Sequence, residues 1–145
     1  MYNRILVPVD GSAPATAALD HALDIASEHD ARVDAITVAD TNVPSQTRIG
    51  VDVIDTLVQE GAEIVSEARE RGEKREVPMV TDVIQGDPTE TIVDYAEQYD
   101  CELIVMGSRG QQSLSEYVLG TVTDQVVNRS DRQVLTIRAT EQSTV

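Results

Sequence analysis

The sequence predicts an α/β protein: a single domain, residues 1–145, built on an open, doubly wound parallel sheet of five strands in the order 3-2-1-4-5, with helices on both faces. Three observations carry that expectation. Short apolar runs alternate strictly with longer segments of helical period, the pattern of right-handed βαβ crossovers. The apolar runs themselves hardly alternate with polar residues, as expected of strands covered on both faces. A chain of 145 residues also suits one such domain better than two.

In chain order, RILVPV from Arg4 to Val9 is the first strand. Ser12 and Pro14 then give a cap and an early proline, and Ala18, Leu19, Ala22, Leu23, Ile25 and Ala26 form the apolar stripe of a first helix. RVDAITV, Arg32 to Val38, is strand two. Val51 to Arg71 is a second helix, which Gly61 weakens without breaking. Strand three is VPMVTDVIQ, Val77 to Gln85, and the third helix opens with Asp87 as N-cap, Pro88 at N1 and Glu90 at N3, a capping-box arrangement. ELIVM, Glu102 to Met106, is strand four. A helix through Val126 and Val127 follows, with Gly120 to Thr123 just ahead of it, and QVLTIR, Gln133 to Arg138, closes the sheet as strand five. The tail from Ala139 to Val145 is expected to fray.

Composition narrows the function. With no Phe, no Trp and only 4 Tyr, the core must be aliphatic. Asp and Glu total 26 against 11 Lys and Arg, a formal charge of -15, so a phosphate-backbone partner is not expected. Lys74 is the single lysine, and the carboxylates are spread along the chain, a pattern resembling proteins adapted to molar salt, where self-repulsion is screened; an ordinary acidic protein is the alternative. Cys101 is the one cysteine and heads an apolar run, which fits packing better than redox chemistry. No basic leader and no apolar run long enough for a membrane span is present, so a soluble, cytoplasmic protein is expected. His21 and His29, both on the first helix and without a cysteine nearby, suit surface or packing positions and not metal ligation.

In a doubly wound sheet, ligands bind beyond the carboxyl ends of the strands, where strand order reverses. Pro8, Val9, Asp10, Gly11 and Ser12 follow strand one there, and Gly107, Ser108, Arg109 and Gly110 follow strand four. Glycines in such loops let a ligand approach the backbone, and successive N–H groups then form an anion-binding concavity. Gly120, Thr121, Val122 and Thr123, read as the opening of the last helix, would add N-terminal amides and hydroxyls for a phosphate. Neither the P-loop pattern nor G-x-G-x-x-G after strand one occurs. By residue chemistry alone Asp10 is first a cap for the turn before Gly11 and Ser12. Arg109 is either an offset to phosphate charge or a solvated loop arginine.

Gly107-x2-Gly110-x9-Gly120-Thr121 resembles the G-x2-G-x9-G-[S/T] motif of the ATP-binding branch of the universal stress proteins. The opening ILVPVDGS and the closing QVLTIR are similar to that family's first strand and loop and last strand, so the resemblance spans the chain. Gln133 departs from the proline common before the last strand. The resemblance implies that Asp10 meets ribose hydroxyls or the metal-phosphate region, that Pro8 and Val9 lie along the nucleoside, and that Val38 meets adenine through its backbone. It places Met106 and Gly107 under ribose and phosphates, and Gly110, Gly120, Thr121, Val122 and Thr123 around the phosphates. It also implies antiparallel pairing of strand five across a two-fold axis, giving a homodimer.

The expected function is that of a small ATP-binding regulatory or stress-response protein, its ATP accompanied by Mg²⁺ or Mn²⁺. With amides, hydroxyls, one arginine and Asp10 in the site, no catalytic residue and no resident metal ligand is assigned, and hydrolysis is expected to be slow at most. The alternatives are a dimeric scaffold of the same fold that uses no nucleotide, and a true ATPase or phosphotransferase.

Overall fold

The computed structural model describes residues 2–40, 50–108 and 114–138, with 50–57 and 114–121 described by their backbone alone. In order the elements are β1 (Arg4–Pro8), α1 (Ala13–His29), β2 (Arg32–Asp40), α2 (Gly50–Lys74), β3 (Met79–Gly86), α3 (Pro88–Gln98), β4 (Leu103–Gly107), α4 (Leu114–Arg129) and β5 (Gln133–Ile137). All neighbouring strands pair in parallel, and the sheet order is β3-β2-β1-β4-β5. The alternation expected from sequence is therefore the architecture. The expected frayed tail, 139–145, lies outside the described residues.

Each strand feeds two cores, which explains its nearly continuous apolar reading. Ile5, Val7, Leu103 and Val105 pack toward α1 and α2 with Leu19, Leu23 and Ala68. Their neighbours Leu6, Ile104 and Met106 pack toward α3 and α4 with Ile92, Tyr95 and Val126. The period of two along a strand sends successive side chains to opposite faces, and both faces here are covered.

The helix starts follow from local chemistry. Ser12 Oγ accepts the Ala15 N–H at 3.3 Å to cap α1. Asp87 accepts the Glu90 N–H at 3.0 Å to cap α3, with Pro88 in its first turn. Each removes one orphan helical donor. Gly61 has a packing role that periodicity did not reveal: a β-carbon there would stand 2.9 Å from Thr37 Cγ2 and 3.0 Å from Val83 Cγ1, so the glycine lets α2 lie close on β2 and β3.

Asp34 was hidden inside an apolar strand. It is wholly buried on β2, yet one carboxylate oxygen accepts from Arg4 Nε at 3.0 Å, Arg4 Nη2 at 2.7 Å and the Tyr95 hydroxyl at 2.7 Å. Arg32 Nε approaches the other oxygen at 3.4 Å. Burial, and then the hydrogen bond to Asp34, push the Tyr95 hydroxyl well above the usual phenol range. Cys101 lies in the same neighbourhood, fully buried as expected, its thiol pushed up to about 12 first by burial and then by the charge of Asp34. A buried carboxylate is tolerated only when paired and hydrogen-bonded, and removing it strands its partners. Asp34→Ala should therefore lower the unfolding free energy by about 3 kcal/mol. Urea denaturation with an unchanged slope would read this as a lower midpoint; an unshifted midpoint would deny the ion cluster its stabilising role.

Candidate functional site

The strand order reverses between β1 and β4. β1 ends at Pro8, after which the Val9 N–H still donates to the Ile36 carbonyl at 2.8 Å. Asp10 then turns the chain: its Oδ1 accepts the Ser12 N–H at 2.9 Å, and Gly11 takes φ +84, a left-handed conformation that a side chain disfavours. Three local devices in succession, an Asx turn, a left-handed glycine and a serine cap, bring the chain from β1 into α1.

On the other side of the reversal β4 ends at Gly107. A β-carbon at this position would come within 2.5 Å of the Pro14 carbonyl carbon and 2.6 Å of its oxygen. The first turn of α1 thus crosses the end of β4 too closely for any side chain. Thr123, buried on α4, donates its hydroxyl hydrogen to the Gly107 carbonyl at 2.8 Å. The next residue, Ser108, donates its N–H to Ile137 O at 2.8 Å, tying the strand end to β5.

Beyond the ends of β1 and β2, against α3 and α4, lies a cavity of about 130 Å³. Five residues singled out from sequence, Pro8, Val9, Asp10, Val38 and Val122, line it together. Thr37, Asp40, Pro88 and Ile92 line it as well and were not anticipated. Asp40 ends β2 and Pro88 opens α3, so their signal was positional: they stand at strand and helix ends facing the same edge of the sheet. Among the described residues the walls are mainly apolar and the polar lining consists of Asp10, Asp40 and Thr37, with no cation. Such a cavity suits a flat apolar group with hydrogen-bond donors on its periphery and disfavours an anion inside it.

Several expectations meet a different geometry. Gly120 to Thr123 do not open the last helix, because α4 already begins at Leu114. The stretch Leu114 to Leu119 contains no breaker, and one helical glycine costs only ~1 kcal/mol, so the helix runs through it. Amides at 120–123 sit in helical turns and are not the orphan donors of a helix start. Val122, expected near phosphates, lines the apolar cavity, and Met106 is wholly buried in the core beneath, so its side chain offers no open surface. Arg109 and Gly110 lie outside the described residues, and of Thr121 only the helical backbone is described. His21 is exposed and the His29 ring packs 5.1 Å from that of Tyr2. A wider depression between α1 and α2, about 460 Å³, is lined by charges of both signs including the Arg71–Asp20 pair at 2.8 Å, and it lies away from the strand ends.

Comparison with known proteins agrees with this architecture. The universal stress protein family model matches residues 1–138. Universal stress protein MJ0531 of Methanocaldococcus jannaschii is 32% identical over 142 residues, spanning 95% of this chain and 83% of that protein. The solved structure of universal stress protein UspA from Lactobacillus plantarum aligns with a TM-score of 0.81 at 32% identity, covering 94% of this chain and 98% of its own. The universal stress protein from Archaeoglobus fulgidus in complex with dAMP shares the fold, with a TM-score of 0.73 at 22% identity and coverage of 94% and 98%.

The close crossing at Gly107 makes a direct prediction. Gly107→Ala should destabilise the protein by about 2 kcal/mol through overpacking against Pro14, seen as a lower thermal midpoint in the absence of any ligand. A variant that melts with the parent would show that α1 yields easily there and that the glycine serves another purpose.

Proposed function

The chain belongs to the universal stress protein family, and from that premise we propose that it is an adenine-nucleotide binder, with ATP its ligand, acting as a small cytoplasmic regulatory or stress-response protein with slow or no hydrolysis. The observation that carries this reading is the cavity, because residues far apart in sequence, ending β1, ending β2 and on α4, converge on one apolar slot beyond the carboxyl ends of the strands. Pro8, Val38 and Val122 serve the base, and Asp10 the ribose hydroxyls. Val9 lies along the nucleoside and Met106 forms the buried floor. The phosphates extend toward the end of β4, where Gly107 leads to Arg109 and Gly110, and toward Gly120, Thr121 and Thr123 on α4. Thr123 assists by holding the Gly107 carbonyl in place. The dAMP complex of the Archaeoglobus relative supports an adenine nucleotide as the ligand class.

Binding is favoured over turnover by the charges present. Phosphoryl transfer needs neutralisation of the γ-phosphate and a positioned water. The cavity lining contributes two carboxylates, Asp10 and Asp40. Mg²⁺ or Mn²⁺ would offset their repulsion of the triphosphate. Such an ion would come as a companion of the triphosphate.

The charge of -15 adds long-range repulsion toward ATP, and the salt-adapted character inferred from composition follows from the same number. Homodimerisation through β5 is part of the proposal: this edge strand exposes Leu135, and an unpaired apolar edge calls for a partner. A scaffold that dimerises without nucleotide would share that interface, so ligand binding is the discriminating property. Nucleic acid and membrane are not among the proposed partners. No helix among the described residues is long and apolar enough to cross a membrane.

Calorimetric titration with Mg-ATP should give saturable binding near one ATP per chain, and its affinity should persist or improve between about 0.2 and 2 M KCl, since salt at 1 M screens beyond ~3 Å and removes mainly the repulsion. No heat at two temperatures from a folded dimer would favour the scaffold; sustained phosphate release would favour an ATPase. Asp10→Ala should weaken ATP roughly tenfold, the worth of a hydrogen bond to a charged acceptor, while Asp10→Asn keeps the bond to the Ser12 N–H. If Asp10→Ala lowers only the melting temperature, the residue is a turn cap and nothing more.

A further inference from the structure

Resting on the adenine-nucleotide reading above, we propose that Thr89 is a positioning residue for nucleotide binding: its hydroxyl, bonded to Gln125, clasps α3 to α4 and so fixes a wall of the cavity. The buried stripe of α3 runs Thr89, Ile92, Tyr95 and Ala96, residues three or four apart that share one face of the helix. Thr89 heads this stripe with a hydroxyl at a place only 2% exposed, where an aliphatic side chain would pack. A hydroxyl so deeply buried is tolerated only with a hydrogen-bond partner. It donates its hydrogen to Gln125 Oε1 on α4 at 2.5 Å.

The place of that bond is what links it to the ligand. Pro88, next to Thr89, and Ile92, one turn on, line the cavity from α3, and Val122, one turn before Gln125, lines it from α4. The bond therefore joins the two helices directly beside their wall residues. Side chains that face a cavity lack packing partners on that side, so packing holds the helices least firmly there. Farther along α3 the Tyr95 hydroxyl is tied to Asp34 at 2.7 Å, which fixes that part of the helix to the sheet. Gln125 is exposed, so its carboxamide can exchange Thr89 for water without being left unpaired. The clasp is thus the tie that can open while Tyr95 stays anchored. A wall already held in the ligand-bearing position needs no ordering on binding, whereas a wall free to move lowers the competent fraction and with it the affinity.

Calorimetry with Mg-ATP on the full chain tests this. Thr89→Val keeps the branched shape and removes the hydroxyl; Gln125→Met keeps the length and removes the acceptor. Each should weaken ATP about fivefold, the net worth of one hydrogen bond. The double variant should also lose only about fivefold, because a single shared bond is lost once. Thr89→Ser retains the donor and should bind within about twofold of wild type. A merely structural threonine would lower the thermal midpoint and leave the ATP affinity of the folded variants unchanged, which would overturn the assignment. Losses that multiply to roughly twenty-fivefold in the double variant would overturn it too, since independent contacts add in free energy. Gln125 lies on the surface, so Gln125→Met carries the test if Thr89→Val folds poorly. If wild-type protein binds no nucleotide, the adenine-nucleotide reading itself fails and the clasp with it; if wild type and variants bind ATP alike, that reading stands and the role of Thr89 alone falls.

Discussion

At the end of β4 the first turn of α1 crosses the sheet with no room for a side chain, close by the candidate site. The Pro14 carbonyl carbon lies 2.5 Å from where a β-carbon on residue 107 would sit. α1 can approach the sheet at that point only because Gly107 has no side chain. The approach sets where the Asp10–Ser12 turn lies, and Thr123 binds the same glycine's carbonyl from α4. Elements from both faces of the sheet are thereby referenced to one backbone position. The ends of β1 and β4 are then held at a fixed separation.

Stability and chemistry are divided between the two ends of the strands. At the amino ends, Asp34 gathers Arg4, Arg32 and Tyr95 into a buried, hydrogen-bonded cluster, and Arg4 lies 5.0 Å over the Tyr99 ring. α3 is anchored there by Tyr95. Its opposite end, with Pro88 and Ile92, forms a wall of the cavity. One helix thus links a polar anchor at one edge of the sheet to an apolar wall at the other. The coupling is rigid because every member of the anchor has a partner, and a satisfied buried network holds a single arrangement.

The acidic character of the chain shapes how such a site operates. Among the described residues its lining carries Asp10 and Asp40 and no cation, so on the proposed reading attraction for a nucleotide rests on apolar contact, on hydrogen bonds to carboxylates and on backbone donors. Those forces act at contact and survive salt. The opposing repulsion acts at distance and is screened. A chain with a formal charge of -15 and a single lysine carries self-repulsion that salt screens.

Sequence alone determined the class of this protein, because strands covered on two faces read as unbroken apolar runs and the caps Ser12 and Asp87 act through their immediate neighbours. It also determined the family, through glycines spaced along one segment and matched by the opening strand and loop. It could not determine which residues meet. Asp34 reads as an interruption in strand two until folding brings Arg4 and Tyr95, 30 and 61 positions away, to its carboxylate. Asp40 and Ile92 carry no motif and join the cavity only because β2 ends and α3 begins beside the end of β1. The start of α4 at Leu114 was misplaced for a related reason: glycine marks a boundary in a local reading, yet its cost of ~1 kcal/mol is small beside the packing of Val122 and Val126 against the sheet. Local patterns are set by short-range sterics and hydrogen bonds, which neighbouring residues specify; the site is set by distances between elements, and those exist only once the sheet has assembled.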